Sequence, residues 1–276
     1  MVGRIRCQAC HVSTTFPVPS DAELDRAYGG GYRPDRGRFG AGGDAFLRRT
    51  RSSLARRLDH IAPPGPVLDV GAGDGTLLDA LRARGRDALG LERTGGRTDI
   101  LAAELTDLDG PFAAIVFWHS LEHLRQPAAA LEQAAGLLTR RGVLVVAMPN
   151  SESLQARVFG DRWFALDPPR HLVHLTSGAL RGKLTALGLQ VDRVSYLRGG
   201  QVAFGWLDGM VAHLPGSPSL YDAIRHPEAR SDPLSRRRHL AALLAAVILL
   251  PAALAAAAIE VVLRRGGTVY VEARAA

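Results

Sequence analysis

From residue 44 to residue 198 the apolar positions keep changing period, passing between helical three-and-four spacing and short unbroken runs. Asp44 to Ile61 carries helical spacing and stops at Pro63-Pro64-Gly65-Pro66, a run that no helix continues through. Beyond it the pattern predicts strands at 66–70, 87–92, 100–104, 113–118, 142–148 and 190–197, helices at 75–84, 127–139 and 176–187, and a last strand at 267–274. Unbroken apolar runs alternating with helices describe strands buried on both faces, hence a parallel α/β sheet covered by helices on each side. No internal repeat is visible.

Two stretches interrupt the alternation. Only eleven residues separate Glu92 from Glu104, Gly95-Gly96 among them, so the helix expected between the second and third strands shrinks to a turn. The other is Leu240 to Ile259, twenty uncharged and mostly aliphatic residues between Arg236-Arg237-Arg238 and Arg264-Arg265, with Pro251 in the middle. Its length suits a membrane span, yet strand 267–274 must rejoin the sheet that holds 190–197, which excludes a simple crossing. Pro251 predicts a break into two halves of about 16 Å. These would fold as a hairpin, dipping into one leaflet or packing on the domain or on a second copy in a homodimer. Gln201 to His213 adds a further apolar helix. The chain thus divides into an N-terminal cap or arm (1–43), a core (44–198), an apolar helical insertion (199–266) and a final core strand (267–276).

Charge narrows the partners. The net charge is +7, and because Lys183 is the lone lysine it is carried by arginine. Arg48, Arg49, Arg51, Arg56 and Arg57 form one cluster, but aromatics are scarce around it, so the stacking platforms of a nucleic-acid binder are missing. Anionic membrane headgroups fit better. Cys7 and Cys10 are the only cysteines and no apolar leader follows the first arginines, which points to a cytoplasmic setting, peripheral on the inner membrane face. Cys7-Gln-Ala-Cys10 with His11 is half of a zinc site whose second cysteine pair is absent.

The chemistry concentrates at Val67-Leu68-Asp69-Val70-Gly71-Ala72-Gly73-Asp74-Gly75, a buried strand running into a glycine turn that opens a helix. Glycines allow positive φ and close ligand approach, and the helix start offers unpaired N–H groups. Glu92 follows Gly71 by 21 residues at the end of the next strand, where a carboxylate can accept both hydroxyls of a ribose. Thr76 stands where a dinucleotide fingerprint places its third glycine. That weakens a second reading, an NAD(P)-dependent Rossmann oxidoreductase; a third is a non-catalytic membrane-associated interaction protein that keeps the fold.

Asp69 to Gly75, followed in order by Phe112 to Leu124, Pro127, Leu137-Leu138, Arg141 to Val146 and Pro149-Asn150, resembles the class I S-adenosylmethionine-dependent methyltransferases. Trp163 to Leu175, with Asp167-Pro168-Pro169-Arg170-His171 and His174, is similar to the subgroup acting in quinone biosynthesis and on sugars. The resemblance covers residues 44–198 and 267–274. It implies a Rossmann-like doubly wound sheet of seven strands with the last antiparallel, and S-adenosyl-L-methionine as cofactor. Asp69, Gly71, Ala72 and Gly73 would lie under the methionine part, Glu92 would hold the ribose, Glu104 and Leu105 would meet the adenine, and Trp118 and His119 would line the methyl-donor end. Ala113 departs from the family, which often has an aspartate there.

Methyl transfer from a sulfonium leaves the protein to position the acceptor and remove its proton. The candidate bases are His123 and His171, with His119 and His174 beside them, acting on a hydroxyl of a small-molecule or lipid-linked acceptor of quinone, polyketide or sugar type. His119-Ser120-Leu121-Glu122-His123 also spells the H-x-x-E-H zinc pattern. That pattern belongs wholly on a helix with a distant third ligand, so no metal is assigned. A divalent ion on Glu122 and His123, binding vicinal oxygens, is its milder form.

Overall fold

The computed structural model describes residues 3–29, 40–93, 97–197, 200–217, 219–225 and 235–276. The chain opens with a hairpin, β1 (Gly3–Arg6) and β2 (Ser13–Phe16), followed by α1 (Asp21–Tyr28) and α2 (Gly40–Ile61). The core then runs β3 (Val67–Val70), α3 (Thr76–Arg82), β4 (Ala88–Leu91), β5 (Ile100–Leu101), β6 (Phe112–Trp118), α4 (Pro127–Gly136) and β7 (Leu138–Pro149). After it come α5 (Leu154–Phe159), β8 (Val173–His174), α6 (Ser177–Ala186), β9 (Gln190–Ser195), α7 (Gly200–Ala212), α8 (Leu220–Ile224), α9 (Arg236–Val262) and β10 (Thr268–Arg274).

Seven strands form one sheet in the order β5-β4-β3-β6-β7-β10-β9. β3, β4, β5, β6 and β7 pair in parallel, while β10 runs antiparallel to both its neighbours. Period-two alternation along β6 sorts its side chains between two cores. Ile115 and Phe117 join Leu131 and Leu180 from α4 and α6, whereas Ala114 and Val116 join Leu58 and Leu78 from α2 and α3. α2 is bolted to the last strand by a fork: Arg57 Nε and Nη2 donate to Glu272 Oε1 and Oε2 at 2.9 and 2.7 Å, and Tyr270 Oη donates to Oε1 at 2.7 Å.

The third predicted strand, 100–104, shortens to Ile100–Leu101, and Glu104 caps a single 3-10 turn, Leu105–Asp107, by mutual hydrogen bonding with Asp107. The helix predicted to 139 stops at Gly136, because Leu138 pairs with Phe112 and extends β7. Tertiary pairing overrides the helical preference of this leucine pair. The N-terminal hairpin is part of the body of the protein: β2 also pairs with β8, and Leu24 of α1 is buried in the core. Of Tyr28 to Tyr32, residues 30–32 lie outside the described residues, as do Gly95 and Gly96.

The insertion corrects the expected break at Pro251. α9 is one continuous helix of 27 residues with Pro251 inside it, about 40 Å long. Proline costs a helix interior about 3 kcal/mol. Here Ala and Leu, the strongest helix formers, flank it, and tertiary packing holds both halves in line. Ala253 and Ala257 pack with Val202 and Trp206 of α7, while Ala242 and Ala246 pack with Val211. α7 and α9 therefore form an antiparallel pair. At its foot Glu260, fully buried, accepts from the Gln155 N–H (2.9 Å), Gln155 Nε2 (2.8 Å) and Trp206 Nε1 (2.9 Å). The small residues of α9 face the protein, and the large ones, including Leu244, Val247, Ile248, Leu254, Ile259 and Val262, face outward.

Candidate active site

β3 ends in a turn whose glycines all take positive φ: Gly71 at 82°, Gly73 at 57° and Gly75 at 75°. A Cβ on Gly71 would overlap Ser120, whose hydroxyl donates to the Val70 carbonyl and ties the β6 end to the β3 end. The main chain at Gly71 is therefore bare by necessity. Glu92 braces the turn from β4, with Oε2 accepting from Gly73 N–H at 2.8 Å and Oε1 from Arg93 N–H at 3.0 Å. A carboxylate has about four acceptor positions, so both oxygens keep capacity for a ligand.

Asp69, two residues before the turn, is buried, and its Oδ1 accepts no hydrogen bond among the described residues. Burial pushes its carboxyl up to about 7, with the charge of Arg51 opposing and those of Glu92 and Asp74 adding. Arg51, whose guanidinium lies 4.8 Å from the centre of the Trp118 ring, brings α2 into the site. Arg97 packs against Gly75 and bonds Asp79 (2.7 Å) and Asp99 (2.8 Å).

A second group lies beyond β6. His119 sits at φ 55°, turned at the strand end, with Nδ1 3.5 Å from Glu122 Oε1 and Nε2 3.4 Å from Gln201 Nε2 of α7. Glu122 is buried, and neither carboxylate oxygen has a hydrogen bond among the described residues. Burial pushes its carboxyl up, but the imidazole of His119, with His171 and His123, outweighs burial and keeps it ionised. His171 Nε2 stands 3.9 Å from Glu122 Oε1, and its ring meets His123 edge-on at 4.6 Å. Burial lowers His171 to about 4, so it is neutral at pH 7. His123 Nδ1 lies 2.8 Å from Tyr28 Oη and 3.1 Å from the Arg170 carbonyl. Glu122, His123 and His171 bring three ligand-type atoms within 4.8 Å of one another.

The structure thus gathers three of the four candidate histidines around Glu122. His174 points elsewhere, into the small N-terminal sheet, where Nε2 is 3.0 Å from Thr15 Oγ1. Arg170 pins the 167–171 turn by bonding Asp167 (Nε to Oδ2, 2.9 Å) and the Ala27 carbonyl (3.3 Å). Leu105 is buried in the core. Ala113 fits because its Cβ is packed against Gly65 and its N–H bonds the Pro66 carbonyl. Sequence reasoning passed over Tyr28, Arg51, Arg97, Ser120 and Gln201. Tyr28, Arg51, Arg97 and Gln201 reach the site from other elements with no local spacing to signal them, while Ser120 lies beside His119 and only its bond to the Val70 carbonyl shows its role.

Residues 44–194 match the methyltransferase domain family. The chain belongs to that family. The methyltransferase has the class I fold and uses S-adenosylmethionine. A SAM-dependent methyltransferase from Archaeoglobus fulgidus superposes with a TM-score of 0.51 at 16% identity, over 82% of this chain and 94% of that one. The [4+2]-cyclase SpnF superposes with a TM-score of 0.54 at 17% identity, over 94% of this chain and 97% of that one. At such identities the likeness is one of fold. No curated protein matches the sequence.

The residues present fit the cofactor. The buried Asp69 Oδ1, without a donor among the described residues, calls for one, and it stands beside a glycine turn at positive φ with the Glu92 carboxylate across it.

Proposed function

We propose that the methyltransferase transfers a methyl group to a hydroxyl oxygen of a small or lipid-linked acceptor, with His119 taking the acceptor proton. Asp69, Gly71, Ala72 and Gly73 would hold the methionine part of the cofactor, Glu92 the ribose, Glu104 and Leu105 the adenine edge, and Trp118 with His119 the methyl end. When bound, S-adenosylmethionine supplies a methyl group already activated on a sulfonium. The observation that carries the base assignment is the His119–Glu122 pair. With Nδ1 facing a buried, ionised carboxylate at 3.5 Å, Nε2 is the basic nitrogen; it accepts from Gln201 Nε2 at 3.4 Å, a long contact that the acceptor hydroxyl would displace. His123, bonded to Tyr28 and the Arg170 carbonyl, and the buried His171 lie behind Glu122 and shape the wall, and His174 supports the cap.

The lipid-linked acceptor is supported by α9, the one helix among the described residues long and apolar enough to cross a membrane. Its outward face carries large aliphatic side chains, with Arg236, Arg237 and Arg238 in its first turn and Arg264 and Arg265 just past its last. Such a face, about 40 Å long, suits a helix lying in the headgroup boundary, on the cytoplasmic side. α7, packed on α9, carries Gln201 to His119, so the docked surface adjoins the acceptor side.

Label from methyl-tritiated S-adenosylmethionine should pass into a hydroxyl compound of a membrane lipid extract. His119→Ala should cut kcat about 100-fold or more while S-adenosylhomocysteine binding persists. Unchanged turnover in that variant would remove His119 from the role. Sedimentation with vesicles containing anionic phospholipid should be strong for the full chain and lost in Val247→Glu/Ile248→Glu; equal sedimentation of both proteins refutes docking through α9.

A further inference from the structure

We infer that Glu122, His123 and His171 form a binding site for a divalent transition-metal ion of the zinc class. The ligand set is two imidazoles and a carboxylate, with all three candidate atoms inside a 4.8 Å span. Metal–ligand bonds of about 2.1 Å put two ligands of a tetrahedral site about 3.4 Å apart. The 3.9 Å between Glu122 Oε1 and His171 Nε2 therefore closes with a small side-chain rotation.

Three independent features point to an ion. Glu122 is a carboxylate about as buried as a core leucine, yet neither oxygen has a hydrogen bond among the described residues, His119 Nδ1 standing 3.5 Å from Oε1. Leaving a buried carboxylate unsatisfied costs several kcal/mol of desolvation, which a cation between the oxygens and the two rings would offset. Secondly, His171 is held in the ligating tautomer. The Ala165 carbonyl, 2.9 Å from His171 Nδ1, can only accept, so Nδ1 carries the proton and Nε2 is bare. His123 Nδ1 is anchored by the Arg170 carbonyl at 3.1 Å and by Tyr28 Oη at 2.8 Å, which orients its ring towards the same place. A carbonyl fixing the far nitrogen of a ligating histidine is the usual outer support of a metal site. Thirdly, the ligands come from rigid but separate places, a 3-10 turn after β6 and the 167–171 turn pinned by Arg170 to Asp167 and to α1. An ion would therefore clip the cap to the core directly behind His119. Imidazole nitrogens select zinc-like ions over magnesium or calcium. Three protein ligands leave one position open, and His119, whose Nε2 faces Gln201, stands outside the set.

This site is separable from methyl transfer because its readout is metal. The full chain carrying Cys7→Ser and Cys10→Ser, which removes the exposed thiols as competing ligands, is stripped with EDTA and titrated with Zn²⁺ and with Co²⁺. Expected are one ion per chain, visible Co²⁺ bands of a four-coordinate nitrogen–oxygen site, and a raised Tm on adding Zn²⁺. His171→Ala and Glu122→Gln should weaken binding about 100-fold, and His174→Gln should leave it intact. Folding of each variant is checked by its Tm response to S-adenosylhomocysteine. Absence of stoichiometric Zn²⁺ in the folded parent, or equal affinity in the folded His171→Ala variant, overturns the inference.

Discussion

Replacing Asp69 by Asn separates the two roles that a buried, donorless carboxylate plays. In the folded protein without cofactor, burial raises the Asp69 carboxyl from 3.8 to about 7. A raised acid pKa means that the group favours the fold while protonated, and that this stability is lost as pH climbs from about 4 through about 7. At about 1.4 kcal/mol for each tenfold, that rise corresponds to about 4 kcal/mol at pH 8. Asparagine has no charge to desolvate. Asp69→Asn should therefore match the parent near pH 4 and exceed it progressively towards pH 8, by roughly 8 °C in Tm at about 2 °C per kcal/mol for a chain of this size. Cofactor binding should move the other way, because the charged acceptor is gone: affinity for S-adenosylhomocysteine should drop about tenfold or more. The assay is thermal unfolding of both proteins at pH 5 to 8.5, with and without that ligand. Parallel curves across this range would show that Asp69 is not an uncompensated buried carboxylate, and the argument for its waiting donor would fail with them.

Gly71→Ala combines a φ of 82° with overlap on Ser120; the variant should lose about 1 to 3 kcal/mol of stability and nearly all S-adenosylhomocysteine binding by calorimetry, and wild-type affinity would refute the bare-backbone reading. Glu260→Ala strands three buried donors from Gln155 and Trp206, so urea unfolding should report a loss of at least about 3 kcal/mol; a change under about 1 kcal/mol would mean the foot of the α7–α9 pair is not held there.

Much of the core was legible before any coordinates. β3, α3, β4, β6 and α6 fall within a residue or two of their predicted bounds, since strands buried on both faces leave unbroken apolar runs and proline or glycine marks their ends. The glycine turn and Glu92 were equally legible, because their chemistry is local: positive φ at Gly71 and a carboxylate at the end of the next strand. The histidine group was visible only as four separate residues. His119 and His123 are close in sequence, but His171 joins them only because Arg170 and Asp167 fold their turn back under α1, and His174 leaves because β8 pairs with β2.

What the amino-acid sequence determined by itself is whatever a single element can encode: period, turn chemistry, an uncharged stretch of twenty residues. What only the tertiary structure decided is which side chains share a dielectric and a partner. Glu122 reads as one letter of a short motif until burial strips its water and two imidazoles, anchored on their far sides, close around it. Pro251 reads as a break until the alanine stripe of α9, packed along α7, keeps the helix continuous through it. Both outcomes depend on contacts between residues far apart in the chain, whose energies exceed the local preferences that sequence patterns record.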